Sequence, residues 1–408
     1  MRFVVGVYLA TLVALVTFAV IGGAVVLDAS GPSGPLETTA DRHSFSLFRW
    51  EVRHFPEKWL YKAGDFLRGH DNGGDEDVLK RYFALTGEMS KLERNDSNSV
   101  ELADREAERA KLENAVEDVI EGRVTWILEE QGLAMEPPLF TDMDIVFPPV
   151  DFEFDQPPRV LITSPRDKIQ LTHDYLLRPG ISPDQVAGIE ADAEKELNTS
   201  ALVAQTGGVS TYPSVEDNLD GYEHLVEIVF HEWTHSYLTF YPLGSRYFDS
   251  SELRTLNETV ATVAGEQLAL LYFEKYGYLD SEGDVPDHSP APSVAQGESP
   301  FDFTASMRAL RRRVESMLAA GKIEEAEALM EQKRVDFAEK GYRIRRLNQA
   351  YFAFYGFYGT GAGSIDPIGP KIEQLFASAA TPGEFLRQAR SLTSQADLDR
   401  LLFELGSG

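Results

Sequence analysis

The sequence predicts a mixed α+β fold that is mostly helical. Charge-rich stretches almost free of Gly and Pro carry apolar residues at helical spacing. A middle segment instead alternates paired prolines with short runs of β-formers. A hydrophobic fraction of 43%, with 11% aromatic residues, is ample for one large or two modest cores. The 408 residues hold 38 Lys+Arg against 66 Asp+Glu, and the resulting net charge of −28 argues against nucleic acid as a partner, since phosphate binding needs a concentrated basic face. The absence of Cys excludes disulfides and Cys-ligated metal sites.

Residues 3–27 contain no charge, and about 20 apolar residues suffice to cross a bilayer as a helix. Residues 1–27 are therefore expected to be a transmembrane signal-anchor, with the small residues Gly22, Gly23 and Ala24 leaving cleavage as the alternative. Arg2 precedes the span, while Asp28, Glu37 and Asp41 come before Arg42, so a single-pass protein with its bulk outside the cytoplasm is expected. Residues 28–41 read as a flexible tether rich in Gly, Pro, Ser and Thr.

Residues 42–136 form a membrane-proximal helical region. Over 45–69, Phe48, Trp50, Phe55, Trp59, Leu60 and Tyr61 are interleaved with Arg49, Arg53, Lys58 and Lys62, a mixture that suits either a membrane surface or a helix docked on the protein's own core. Residues 78–132 read as two helices broken near 95–98, their charges forming a solvated face. Across 137–280, strands are predicted at 150–154, 159–163 and 169–175, a helix at 183–197, and an extended run at 201–213. Residues 281–300, rich in Pro, read as a surface loop. The remaining region, 301–408, is helical and opens with a hairpin, 303–318 and 323–340, turning at Gly321.

Residues 231–235 read His-Glu-Trp-Thr-His. On a helix, positions i and i+4 share a face, so His231 and His235 can offer imidazole nitrogens to one metal ion with Glu232 at its edge. Tyr222, Val226, Val229, Trp233 and Phe240 fall on one stripe almost opposite the histidines; Asp217 and Asn218 can cap the start, and Pro242 with Gly244 can end the helix. A catalytic zinc normally takes three protein ligands and leaves a position for water. In the helix expected at 250–271, Glu258 is surrounded by the small residues Ala261, Thr262 and Gly265, which would let this helix approach the His helix closely; Glu266 is the competing ligand.

His231-Glu232-x-x-His235 followed by Asn257-Glu258-x-x-Ala261 resembles the gluzincin, thermolysin-like zinc metallopeptidases, and especially the bacterial predicted zinc aminopeptidases. The likeness covers about residues 207–266, with a weaker echo at 347–358. It implies a zincin-like core with a small mixed sheet, zinc held by His231, His235 and Glu258, and Glu232 as catalytic base. The family's acidic residue four positions after the ligand Glu is replaced by Thr262, which leaves Glu227 and Glu266 as candidate partners for a ligand histidine.

The same resemblance expects an oxyanion donor downstream: Tyr355 or Tyr358, with Asn348 a weaker choice. Just before the His helix, Gly208, Val209, Ser210 and Thr211 stand where gluzincins place an edge strand that pairs with substrate backbone, the alternative being a buried strand. Residues 359–363 lack the Lys-Ser/Thr ending of a phosphate loop and are expected as a mobile loop beside the site. His224 is expected to be exposed or to back up a ligand; His43, His54, His70, His173 and His288 carry no assigned chemistry. The expected activity is peptide-bond hydrolysis by a membrane-anchored enzyme, aminopeptidase or endopeptidase, and the rival is a membrane-tethered scaffold that binds zinc without turnover.

Overall fold

The computed structural model describes residues 43–47, 49–50, 75–95, 100–135, 145–217, 221–279 and 301–406. The expected anchor, the tether, most of the aromatic and basic segment, His54, His70, the Pro-rich loop and His288 lie outside them. Among the described residues no helix is long and apolar enough to cross a membrane. The predicted class holds: helices predominate around small sheets.

Helices α1 (Asp75–Asn95), α2 (Val100–Arg109) and α3 (Glu113–Glu130) replace the two expected over 78–132. The additional break falls at 110–112, where bonds from Lys111 N to Glu108 O and from Leu112 N to Arg109 O tighten the chain into a turn before α3 starts. Nor are all the charges solvated. Glu117 and Glu121 are buried, and their carboxylates accept from Phe154 N at 2.8 Å and Phe152 N at 3.1 Å, satisfying the outer edge of a strand. The described start of the aromatic segment docks on the core: Leu47 and Trp50 are buried, and Trp50 Nε1 donates to Asp155 at 2.6 Å.

Strands β1 (Ala134–Met135) and β2 (Ile145–Val146) form a two-stranded antiparallel sheet. Next come β3 (Phe152–Phe154), β4 (Arg159–Pro165), β5 (His173–Leu177), helix α4 (Pro183–Leu197), β6 (Thr199–Gln205), β7 (Gly208–Val209) and β8 (Ser214–Glu216). The sheet β5-β4-β6 is antiparallel, and its pleat sorts side chains by parity. Leu161, Ala201 and Val203 face α4, whereas Val160, Ile162, Leu202 and Ala204 face Ala350 and Phe354 of a later helix. The strand expected at 169–175 is displaced to β5, because pairing with β4 places His173 opposite Thr163 and Leu177 opposite Arg159. The run 201–213 is likewise divided: β7 belongs to a second, mixed sheet, β3-β8-β7, in which β3 and β8 are parallel and β8 and β7 antiparallel.

The His-Glu-Trp-Thr-His segment lies on α5 (Tyr222–Leu238). Its N-cap is Gly221, at φ 95°, rather than Asp217 or Asn218; the chain enters through a left-handed turn that glycine adopts without strain. Tyr222, Val226, Val229 and Trp233 are buried as expected, but Phe240 lies beyond the helix end and is 42% exposed. Burial also extends to Leu225, Ile228, Phe230 and Leu238, so α5 runs largely through the core, with Glu223 and His224 at its start exposed. A short helix α6 (Pro242–Ser245) leads to α7 (Ser251–Tyr276), capped by Ser250 and longer than predicted. The C-terminal hairpin α8 (Phe303–Ala319) and α9 (Ile323–Ala338) turns at Gly321 as expected and has its own core. Helix α10 (Gln349–Tyr355) packs against the β5-β4-β6 sheet, while α11 (Ile368–Ser378), α12 (Pro382–Ala389) and α13 (Gln395–Gly406) close the main core behind α5 and α7.

Candidate metal centre

His231 and His235 stand one turn apart on α5, and Glu258 reaches them from α7. That convergence requires close helix packing, and Gly265 provides it: a Cβ there would lie 3.1 Å from Glu227 O and 3.3 Å from His231 N. Ala261 is fully buried on the same side. The small residues therefore act as expected.

The two histidine Nε2 atoms are 3.0 Å apart, and Glu258 Oε2 lies 3.5 Å from His235 Nε2 and 3.8 Å from His231 Nε2. These donors form a group that can hold a metal ion. Tetrahedral bonds of about 2.0–2.1 Å place ligand atoms roughly 3.3 Å apart, which is the spread observed. Glu266 is not in the group; burial, followed by the nearby carboxylates of Glu227 and Glu373, raises its pKa.

The protonation pattern also suits a metal. His235 Nδ1 is 2.6 Å from Asn257 Oδ1, while Asn257 Nδ2 donates to Leu243 O at 3.3 Å. With the amide nitrogen facing a carbonyl, Oδ1 must face the imidazole, so Nδ1 carries the proton and Nε2 presents its lone pair to the metal position. The expected partners Glu227 and Glu266 do not serve this histidine, and Thr262 Oγ1 bonds its own helix at Glu258 O. Burial opposes charge on His235 but is outweighed by the Glu258 carboxylate, which raises the imidazole to about 9 in the absence of metal. Burial likewise disfavours the charged form of Glu258, yet the two histidines hold it well below the ordinary carboxylate range.

Glu232 is buried beside the group, and burial raises its pKa against the pull of His231 and His235. The edge strand β7 crosses next to it: a Cβ on Gly208 would sit 3.0 Å from Glu232 Cγ, so only glycine lets the strand come this close. Val209 continues that strand, whose outer edge has no partner strand among the described residues. Ser210 and Thr211 are not in the strand. Ser210 Oγ bonds Glu232 O at 3.2 Å, and Thr211 is buried with Oγ1 turned onto Pro213 O at 2.6 Å, closing a turn instead of facing a groove.

The two tyrosines differ in the charged groups that act on their hydroxyls. Burial, then the carboxylates of Glu258 and Glu232, raises the Tyr358 hydroxyl well above its usual pKa, and its ring packs 6.2 Å from that of Phe354. Tyr355 lies in the aromatic cluster with Tyr351, their ring centroids 4.5 Å apart, and burial raises its pKa. Asn348 is occupied structurally, capping α10 through Tyr351 N and donating to Ala201 O at 2.8 Å. Residues 359–363 lie beside the site and are bonded to their surroundings: Gly359 N bonds Thr259 Oγ1 at 3.0 Å, and Arg308 and Arg311 bond the carbonyls of Thr360 and Gly363. His224 is exposed.

Sequence reasoning missed three neighbours of the group. Asn257 was visible as the residue before Glu258, but its role depends on a contact between helices. Tyr247, between α6 and α7, donates its hydroxyl to Glu258 Oε1 at 2.5 Å. Arg254, one turn before Glu258, lies over the rings of Tyr247 and Phe357. Neither carried a local signal. The chain matches no family model, no curated protein and no solved structure.

Proposed function

We propose that this chain is a zinc-dependent metallopeptidase, membrane-anchored through residues 3–27 with its bulk outside the cytoplasm. The observation that carries the reading is the convergence of His231 Nε2, His235 Nε2 and Glu258 Oε2 with the buried carboxylate of Glu232 alongside. Two imidazoles and one carboxylate are a donor set suited to catalytic zinc, and a structural site has no need of an additional buried acid. When bound, zinc lowers the pKa of a coordinated water to about 7 and polarises a carbonyl.

The chain's own residues supply the remainder. Glu232 accepts the proton of the attacking water; its raised pKa suits it to keep that proton briefly and deliver it to the departing amine. Tyr358, protonated at any physiological pH, donates a hydrogen bond to the carbonyl oxygen as negative charge develops there. The outer edge at Gly208 and Val209 pairs with the backbone of an extended peptide and positions it over Glu232. Asn257 and Tyr247 hold His235 and Glu258 in place.

The test is metal analysis of the purified chain together with cleavage of a broad peptide library. Glu232→Gln is expected to retain stoichiometric zinc and lose cleavage. Wild-type protein that binds zinc and cleaves nothing returns the chain to the scaffold reading. Cleavage products decide between aminopeptidase and endopeptidase action.

A further inference from the structure

We propose that Arg254 forms an anion subsite next to the metal group and receives a carboxylate of the bound peptide. The word peptide rests on the function proposed above; the anion subsite itself needs no turnover. Arg254 and Glu258 are one turn apart on α7 and so share a face. The guanidinium carbon lies 4.7 Å from the Phe357 ring centroid and 5.4 Å from that of Tyr247, whose hydroxyl bonds Glu258. The two rings hold the guanidinium in place, and Tyr247 links it directly to a metal-binding carboxylate.

The hydrogen bonding of this cation is incomplete. Guanidinium offers five N–H donors, yet among the described residues Arg254 makes one side-chain hydrogen bond, from Nη1 to Asp174 Oδ2 at 2.7 Å. Its Nε is buried and has no hydrogen-bond partner there, and Nη2 makes no hydrogen bond either. The Nε and Nη2 donors lie along one edge of the guanidinium, the arrangement that binds a carboxylate through two parallel bonds. The side chain as a whole is 19% exposed, although Nε itself is buried. Long-range steering cannot bring an acidic ligand to a chain whose net charge is −28, and recognition must come from a local cation of this kind. The carboxylate is either the free C-terminus of the peptide or an Asp or Glu side chain near the scissile bond.

Calorimetric titration of the full-length, zinc-loaded chain carrying Glu232→Gln tests this with uncut ligands. Three acetylated peptides of equal length serve as probes: one with a free C-terminus and neutral side chains, one amidated and containing Glu, and one amidated and neutral. At least one acidic peptide is expected to bind about tenfold more tightly than the neutral one. Arg254→Gln is expected to abolish that preference. Asp174→Asn, which frees Nη1 and removes a competing carboxylate, is expected to enlarge it, an effect that damage to the fold would not produce. Preference for the free C-terminus identifies a terminal-carboxylate subsite, and preference for Glu a side-chain subsite. Equal affinity for all three probes, no binding, a preference that survives Arg254→Gln, or one that Asp174→Asn leaves unchanged or weakens overturns the proposal. Failure of the peptidase reading is seen separately, as absent cleavage by the wild type with the binding preference intact.

Discussion

Asn257 Oδ1 lies 2.6 Å from His235 Nδ1 and sets which nitrogen of that imidazole faces the metal position. Asn257 is itself locked, buried on α7 with its amide nitrogen on Leu243 O. Asn257→Leu keeps the approximate volume but removes the acceptor, so the ring loses both its preferred tautomer and its orientation. Zinc affinity is expected to fall about 10- to 100-fold, measured by competition with a chromogenic chelator at fixed pH. An unchanged affinity would show that the hydrogen bond does not support the metal group.

The ligand assignment divides Glu258 from Glu266. Glu258 Oε2 faces both histidines within 3.8 Å, whereas Glu266 lies near the carboxylates of Glu227 and Glu373. Metal content by mass spectrometry is expected to drop to background in Glu258→Ala and His231→Ala and to remain stoichiometric in Glu266→Ala. The reverse pattern would move the third ligand about two turns along the helix.

What could be read from the letters is local, and what could not is tertiary. Helix α4 was legible at both ends because Ser182 and Gln185 form a capping box beside Pro183, and Asn198 takes the left-handed conformation. The His-Glu-x-x-His spacing was legible because a single helical turn places both imidazoles together. Strand β5 was misplaced by several residues because its register is set by its partner β4, not by its own composition. The buried Glu117 and Glu121 look no different in sequence from the solvated acids around them; only the edge of β3 gives them partners. Tyr247 and Arg254 reach the metal group through the packing of α7 against the loop before it, which no local pattern encodes.

Tyr358 and Tyr355 both pack on Phe354 but are expected to separate in kinetics. Glu258 and Glu232 both influence the Tyr358 hydroxyl, while Tyr355 packs among rings. Tyr358→Phe is expected to lower kcat by about 10²- to 10³-fold with zinc content unchanged, the loss typical of one oxyanion donor. Tyr355→Phe is expected to stay near wild type. Steady-state kinetics on a peptide cleaved by the wild type decide this, and equal losses in both variants would assign the tyrosines to packing.

Gly265 couples the fold to the metal group. An added methyl meets Glu227 O at 3.1 Å and His231 N at 3.3 Å, and backbone in a core helix has little room to yield. Gly265→Ala is expected to destabilise the metal-free protein by about 1–3 kcal/mol through overpacking and to weaken zinc binding by pushing α7, with Glu258, away from α5. Urea denaturation with and without chelator separates the two effects. Stabilisation, as an alanine in an open helix would produce, would show that the helices do not press together here.

Glu190 carries the clearest pH dependence remote from the metal. It is buried on α4, accepts from Val203 N at 2.7 Å, and meets Arg345 and from Arg346 Nη1 a bond of 2.9 Å. Burial alone would raise its pKa, but the bonds from Arg345 and Val203 together with the charge of Arg346 lower it from 4.5. A carboxyl whose folded pKa is depressed contributes stability in full above its unfolded pKa and loses that contribution as pH falls through the folded one. Glu190→Gln is therefore expected to cost about 1.5–3 kcal/mol near pH 7, the range for hydrogen bonds to a charged group. The difference should shrink as pH drops below 4.5, where the wild-type carboxylate takes up its proton and the two chains become electrostatically alike. Urea midpoints from pH 7 to acid check the sign: a gap that widens in acid would mean that burial, not the arginine pair, governs Glu190.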